Sequence, residues 1–497
     1  MASLLSLPTE LLFRILYYVE SYNAHHRGSF YPLSLACKRL NEVAVPMLYR
    51  DVVFGPSKIE SRQLTPQFVH AVQASGEHAS MVKSYTLERG FDVKEPEDMS
   101  DPAVYGAFLK RVCENTRQKA KADLIERAFP AVGHVTETYP GLIASLYLPS
   151  LEEFRLEGYW GGLFEPFDVI SKCIQESSPD ERAELDIWPK LQKVVIEGTG
   201  EKYPDSTMPL AIFARLPQVE CIEASAMADE QDSEEEPLWH IRPSSSGLRK
   251  LVLGSSFQLT NLNMRELLRA PKALKDFRYN VGHVWAHIDF STKALETALQ
   301  YQSHSLEHLT LSHAYYEYAR DYDRNELQPM KFSSFDTLRV LEISPLFVFG
   351  DLEVQYDDHG RPGYKPLALA ELDTESAKRN LVDMLPSSIQ VLRFSRCGGD
   401  RAVCLCLSKC LQELASCKRD DGQFGNLRTI ELHAPYRCAD IQWDAIRPGF
   451  EAVRSIGIDA EVYDGGPLSC DEVTESRWGI PERIVEPGET RSGARKN

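Results

Sequence analysis

One arrangement of apolar and polar positions returns along most of the chain: an apolar residue, two variable ones, an apolar, one variable, an apolar. It reads LEEFRL from Leu151, LQKVVI from Leu191, VECIEA from Val219, LRKLVL from Leu248 and LKDFRY from Leu274. It continues as LEHLTL from Leu306, LRVLEI from Leu338, IQVLRF from Ile389, LRTIEL from Leu427 and VRSIGI from Val453, with a weaker copy, VKSYTL, from Val82. The last positions of each copy alternate, which predicts a short strand with one face buried. Between copies lie helical patterns, as in NMRELLRAP near Leu267, STKALETALQYQ near Leu299 and AVCLCLSKCLQELASC near Leu407. From Val219 the starts are separated by 29, 26, 32 and 32 residues. A strand and a helix at such a period cannot close a core alone, and stacking the units can. Chance supplies one or two copies in a leucine-rich chain, but not ten.

The beginning follows a different rule. In LPTELLFRILYYVE, Leu7, Leu11, Leu12, Ile15, Leu16 and Val19 recur at steps of three and four, which places them on one broad helical face. Pro8 suits a first helical turn, and Glu10 sits near the positive end of the dipole. In PLSLACKRLNEVAVPMLYRDVVF, Leu33, Cys37, Leu40, Val43 and Ala44 repeat the helical spacing, with Lys38, Arg39, Asn41 and Glu42 opposite. Helices this apolar in about fifty residues must pack on the rest of the chain or on another protein. The pattern predicts a small helical docking module.

This stretch resembles an F-box. Leu7, Pro8, Glu10, Leu11, Leu12, Ile15 and Leu16 match its LPxEL opening, and Ala36, Cys37, Lys38 and Arg39 match its second half. Between Val19 and Leu33 the family carries a short Asp-Pro turn and a leucine-rich helix, where this chain has the longer, more polar ESYNAHHRGSFYP. The repeating copies in turn resemble the LxxLxL signature of leucine-rich repeats, without the Asn or Cys that normally follows. The expected fold is α/β: an all-α F-box over residues 1–55, an irregular leucine-rich-repeat solenoid with a curved, mostly parallel sheet over 56–460, and a loosely ordered tail over 461–497.

Composition narrows the partners. With 55 basic and 73 acidic residues the net charge is −18, which argues against nucleic acid or an anionic membrane as the main partner. Eleven cysteines without paired spacing, and no Asn-x-Ser/Thr sequon, fit a reducing compartment, in the cytoplasm or nucleus. No apolar run approaches membrane-span length. The N-terminal apolar stretch, interrupted by Glu10, Arg14 and Glu20, lacks a basic leader, so no signal peptide is expected.

Each motif that could carry chemistry has a plainer explanation. Cys404, Cys406, Cys410 and Cys417 match no common zinc spacing and sit on an amphipathic helix, where cysteine serves as a small hydrophobe. DYDRNE at Asp321 lacks the turn glycine and bidentate acid of a calcium loop, Glu326 and Phe332 standing in those places. GTG at Gly198 lacks a third glycine, and His25 with His26 has no acid or cysteine beside it. The acidic run within Ala228 to Pro243 reads as a solvated loop, and Asp351 to Pro366 as an inserted turn. From Asp101 to Tyr147 a long helical pattern replaces the strand signal. No hydrolase, zincin or Walker sequence occurs.

The resemblance implies a non-catalytic subunit: the substrate receptor of an SCF-type ubiquitin ligase. Its F-box would dock on a Skp-type adaptor, and through it on a cullin and a RING protein, while the repeats hold a protein target. The adaptor-binding set expected is Leu7, Pro8, Glu10, Leu11, Leu12, Ile15, Leu16, Leu33, Leu35, Cys37 and Leu40. Target binding is expected on the strand side chains that point away from the core, Arg155, Lys193, Arg278, His308, Glu342, Arg393 and Glu431, with Glu157, Glu197 and Asp276 beside them. Neither a metal nor another cofactor is expected. A scaffold in which the first helices merely cap the solenoid is the other reading of the same residues.

Overall fold

A computed structural model describes residues 7–22, 30–54, 59–88, 102–129, 139–158, 165–198, 205–229, 239–281, 290–313, 328–350, 352–356, 362–366, 381–395, 401–421, 424–434, 443–464 and 482–483. The chain divides into two compact units, Met1–Glu197 and Gly198–Asn497. DYDRNE, the paired histidines, most of the acidic run and nearly all of the tail lie outside the described residues.

The first unit opens with α1 (Thr9–Tyr22), α2 (Phe30–Ala36) and α3 (Lys38–Arg50), and α3 runs directly into β1 (Asp51–Phe54). After α4 (Ile59–Ala74) and α5 (Gly76–Met81) come β2 (Ser84–Glu88), β3 (Glu153–Glu157) and β4 (Lys193–Glu197). These four strands are parallel and neighbour one another in chain order, with Asp51, Ser84, Glu153 and Lys193 in register. Parallel neighbours need long crossovers, and helices supply them. Two of these, Pro102–Asn115 and Lys119–Ala128, fall where the long helical pattern predicts them. A line of rings passes along the core, from Phe54 to Phe68 (5.0 Å), Phe68 to Tyr85 (6.3 Å), Tyr85 to Phe154 (5.9 Å) and Phe154 to Phe167 (6.0 Å).

The second unit repeats the scheme. A short parallel pair, β5 (Asp205–Ser206) and β7 (Met227–Ala228), accompanies a main sheet of β6 (Cys221–Ser225), β8 (Lys250–Phe257), β9 (Asp276–Val281), β10 (His308–His313) and β11 (Val340–Ile343). After the antiparallel hairpin of β12 (Leu352–Tyr356) and β13 (Pro362–Pro366), the sheet continues with β14 (Val391–Ser395), β15 (Thr429–Ala434) and β16 (Asp459–Asp464). The main-sheet strands again lie parallel in chain order, and β17 (Glu482–Arg483) adds an antiparallel edge.

Ten of the predicted copies are each followed, two residues after the first apolar position, by the start of a strand, and that first position is buried in all of them. The copy at Val453 is different. Val453 is still in the helix Trp443–Arg454, and the strand begins at Asp459. Gly457, at φ 78°, ends the helix in a conformation that costs other residues energy. Ile458, Ala460 and Val462 then carry the buried alternation. Two of the expected domain limits fall at strands. Asp51–Phe54 pairs with β2, so a cut at residue 55 would part it from its sheet, while Asp459–Asp464 crosses the expected boundary at 460.

Lys121, buried in the first unit, donates to the Asp186 carbonyl at 2.9 Å and lies 5.0 Å from the Tyr147 ring centre. Desolvation lowers its pKa to about 8, against the opposing charge of Asp186. The folded chain therefore binds fewer protons than the unfolded chain between that value and the ordinary lysine range. Stability contributed here is present at high pH and lost as pH falls through about 8. The expected result is that the unfolding midpoint of the wild type rises relative to Lys121→Met as pH goes from about 8 to 10. Parallel pH profiles would contradict this.

Candidate docking module and strand faces

Three helices build the N-terminal module around Leu12, Leu16, Phe30, Val43, Ala44 and Met47, with Leu7, Leu33 and Leu48 packed against them. The Pro8 carbonyl accepts from the backbone N–H of Leu11 (3.0 Å) and Leu12 (3.1 Å) and so starts α1. The sequence spacing joins Leu33, Cys37 and Leu40 in one helix, but the chain breaks at Cys37, which is extended at φ −164° and ψ 163°. Its carbonyl takes the Asn41 N–H at 2.9 Å and opens α3. Arg39 donates to the Leu7 carbonyl, and Asn41 Nδ2 to the Ser34 carbonyl at 2.9 Å. Both belong to the polar side assigned from the sequence, and both tie α3 to its neighbours. Pro32 stands in the first turn of α2, where a missing N–H costs nothing, so the polar stretch still yields a second helix.

The module sorts the eleven expected adaptor residues. Leu12 and Leu16 are 2% and 6% exposed and belong to its own core. Leu7, Leu33, Cys37 and Leu40 are half-buried, whereas Pro8 and Glu10 are open to solvent. Leu11 and Ile15 remain 43% and 39% exposed, and Leu35 68%. Sequence reasoning missed Tyr18 and Tyr31, which are 70% and 62% exposed. Tyr18 follows Leu11 and Ile15 at helical spacing, and Tyr31 precedes Leu35 by one turn. Their spacing was the available signal. Exposed large apolar side chains at this density are what a protein-binding surface requires.

On the strand faces, Arg278, Thr310, Glu342, Arg393, Glu431 and Glu461 form one row of the second unit by register. His308 belongs to the adjoining row, level with Asp276 and Val340. Arg155 and Lys193 stand in separate rows of the first unit, level with Val195 and Glu153. The guanidiniums are spent on their own neighbours. Arg278 donates to both Asp276 oxygens (3.1 and 3.0 Å), Arg393 to Glu431 (2.7 Å) and Arg155 to Glu197 (2.8 Å). Burial works against the Glu431 carboxylate, but hydrogen bonds from His433 and Arg393 hold its pKa below the ordinary glutamate value.

Cys404, Cys406 and Cys410 are buried in the helix Arg401–Asp421, and desolvation pushes the Cys410 thiol up to about 12. Among the described residues no group of three or more His, Cys, Asp or Glu side chains is placed to hold a metal ion. No helix of the described residues is long and apolar enough to cross a membrane. No family model matches the chain, and no curated protein matches it.

Proposed function

We propose that this protein is the substrate receptor of an SCF-type ubiquitin ligase, docking through α1–α3 on a Skp-type adaptor and holding a protein target on its strand faces. The observation that carries the reading is the division of the motif leucines. Leu12 and Leu16 build the module, while Leu11, Ile15 and Leu35 stay exposed on it. A module that only packed on its own chain would have no use for those side chains in water. Parallel strands in chain order, ten of them starting inside an LxxLxL copy, support repeats as the target-holding part. In this role the protein contributes proximity, turning the meeting of a target lysine and charged ubiquitin into an intramolecular event. The direct test is titration of the purified chain with purified Skp-type adaptor. Saturable one-to-one binding supports the reading, and its absence removes it.

A scaffold with α1–α3 as a cap has one observation in its favour. Helix α3 continues without a linker into β1, and the Tyr49 ring lies flat on His78 of α5, 4.7 Å between centres. Deleting residues 1–36 separates the two. If the module docks, the remaining chain keeps its unfolding midpoint within about 4 °C, equivalent to roughly 1 kcal/mol. A cap would leave the strands without their terminus and lower the midpoint well beyond that.

A further inference from the structure

On the solvent side of the first unit's sheet, Glu88, Glu157 and Glu197 stand in register on three adjacent strands. Neighbouring strands lie about 4.8 Å apart, close enough for the carboxylates to repel. One guanidinium serves them. Arg155 lies 2.8 Å from Glu197, 3.3 Å from Glu153 and 3.7 Å from Glu157. Glu88 has no ion pair among the described residues. Thr86 precedes it by two residues on the same side of β2 and is level with Arg155. It is 8% exposed, and its hydroxyl has no hydrogen bond among the described residues. Val53, level with Thr86 on β1, is exposed.

We propose that Glu88 and Glu157 clamp one lysine or arginine side chain of an extended segment of the target protein, with Thr86 accepting a further hydrogen bond. This rests on the receptor reading above and names the chemistry of what the receptor holds. The carboxylates are half-covered yet reachable, which suits a long cationic side chain whose aliphatic stem lies over Val53 and Thr86. A metal ion fits less well, because the described residues include no group of three or more His, Cys, Asp or Glu placed to hold one. Burial and then the Glu197 charge raise the Glu157 pKa, Arg155 opposes them and Glu88 adds to them, so the row lacks positive charge even with Arg155 in place.

The test is a fluorescence-anisotropy titration of the full chain with fluorescein-labelled hexalysine at physiological salt. Glu88→Gln with Glu157→Gln should weaken binding about tenfold, and Glu114→Gln with Glu184→Gln, an equal change of net charge on exposed helical positions, should leave it unchanged. Equal affinity for all three proteins would mean that the peptide feels only the overall negative charge, and would overturn the clamp. Displacement of the peptide by millimolar calcium would also overturn it, as an ion site. Carbodiimide labelling of the wild type, read by mass spectrometry, needs no variant: hexalysine should shield Glu88 and Glu157, and unshielded labelling counts against the clamp. Adaptor binding is measured on the same samples. Its retention with a failed peptide test removes only this inference, whereas its loss removes the receptor reading itself.

Discussion

Replacing Leu11 and Ile15 together by alanine should lower affinity for a Skp-type adaptor by at least about thirtyfold, with the helical content and thermal midpoint of the chain nearly unchanged. Truncating one anchor of an apolar interface costs on the order of 2 kcal/mol, which already gives that factor. Both side chains keep roughly two-fifths of their surface in water, so their loss opens little of the module's own core. The matched pair, Leu12→Ala with Leu16→Ala, should behave in the opposite order. Those side chains are buried against Phe30, Val43, Ala44 and Met47, where each truncation costs about 2–5 kcal/mol of stability. The second pair should therefore lose helical signal first and adaptor binding as a consequence. Calorimetric titration with far-ultraviolet circular dichroism on both pairs decides the matter. Undiminished binding by the Leu11/Ile15 variant rules out docking through this face, and an equal loss of structure in both pairs makes all four residues core.

The contrast also shows what the sequence could reveal about this site. At about 100° per residue, Leu12 and Leu16 lie some 40° apart on α1, and Leu11 and Ile15 form a second such pair turned by about 100° from the first. An apolar stripe that wide contains both a core-facing and an outward-facing half. Periodicity alone cannot assign them, because the choice depends on where α3 packs. The strands were more legible, since a two-residue alternation leaves one possible inward set. The copy at Val453 misled because the end of a helix and the turn after it imitate the motif, and the left-handed Gly457 lies in that turn, just before the strand at Asp459. The strand face was legible as a set of positions, but its charge balance was not. Arg155, Arg278 and Arg393 read from the sequence as ligands, whereas each is held by carboxylates of its own sheet. Among the described residues of the first unit, that leaves Glu88 as the carboxylate of this row without an ion pair.

The largest stability effect in the first unit should come from Trp188→Ala. Trp188 is fully buried, meets Phe167 edge to face with ring centres 5.2 Å apart, and lies 6.2 Å from Phe154. Its indole N–H donates to the Ser145 carbonyl at 3.0 Å and so ties the turn before β4 to the end of the helix Tyr139–Ser145. Truncating such a ring costs about 3–5 kcal/mol, and the lost hydrogen bond adds about 1 kcal/mol, the Ser145 carbonyl still accepting from the Leu148 N–H at 3.3 Å. Trp188 also sits at φ 49°, close behind Asp186 at φ 47°, so the packed ring holds a backbone conformation that a β-carbon disfavours. Without the ring, that turn keeps the Lys121 hydrogen bond to the Asp186 carbonyl but loses its largest packed side chain, and the lead-in to β4 through Leu191, whose N–H bonds the Trp188 carbonyl at 3.1 Å, is weakened. Trp188→Phe keeps much of the packing and removes the N–H, so it should cost no more than about 1–3 kcal/mol. Hydrogen exchange followed on peptides covering β3 and β4 measures both variants within the first unit. Protection lost in Trp188→Ala and largely kept in Trp188→Phe would make the ring the main support of this end of the sheet. Equal losses would shift that role to the single hydrogen bond to Ser145.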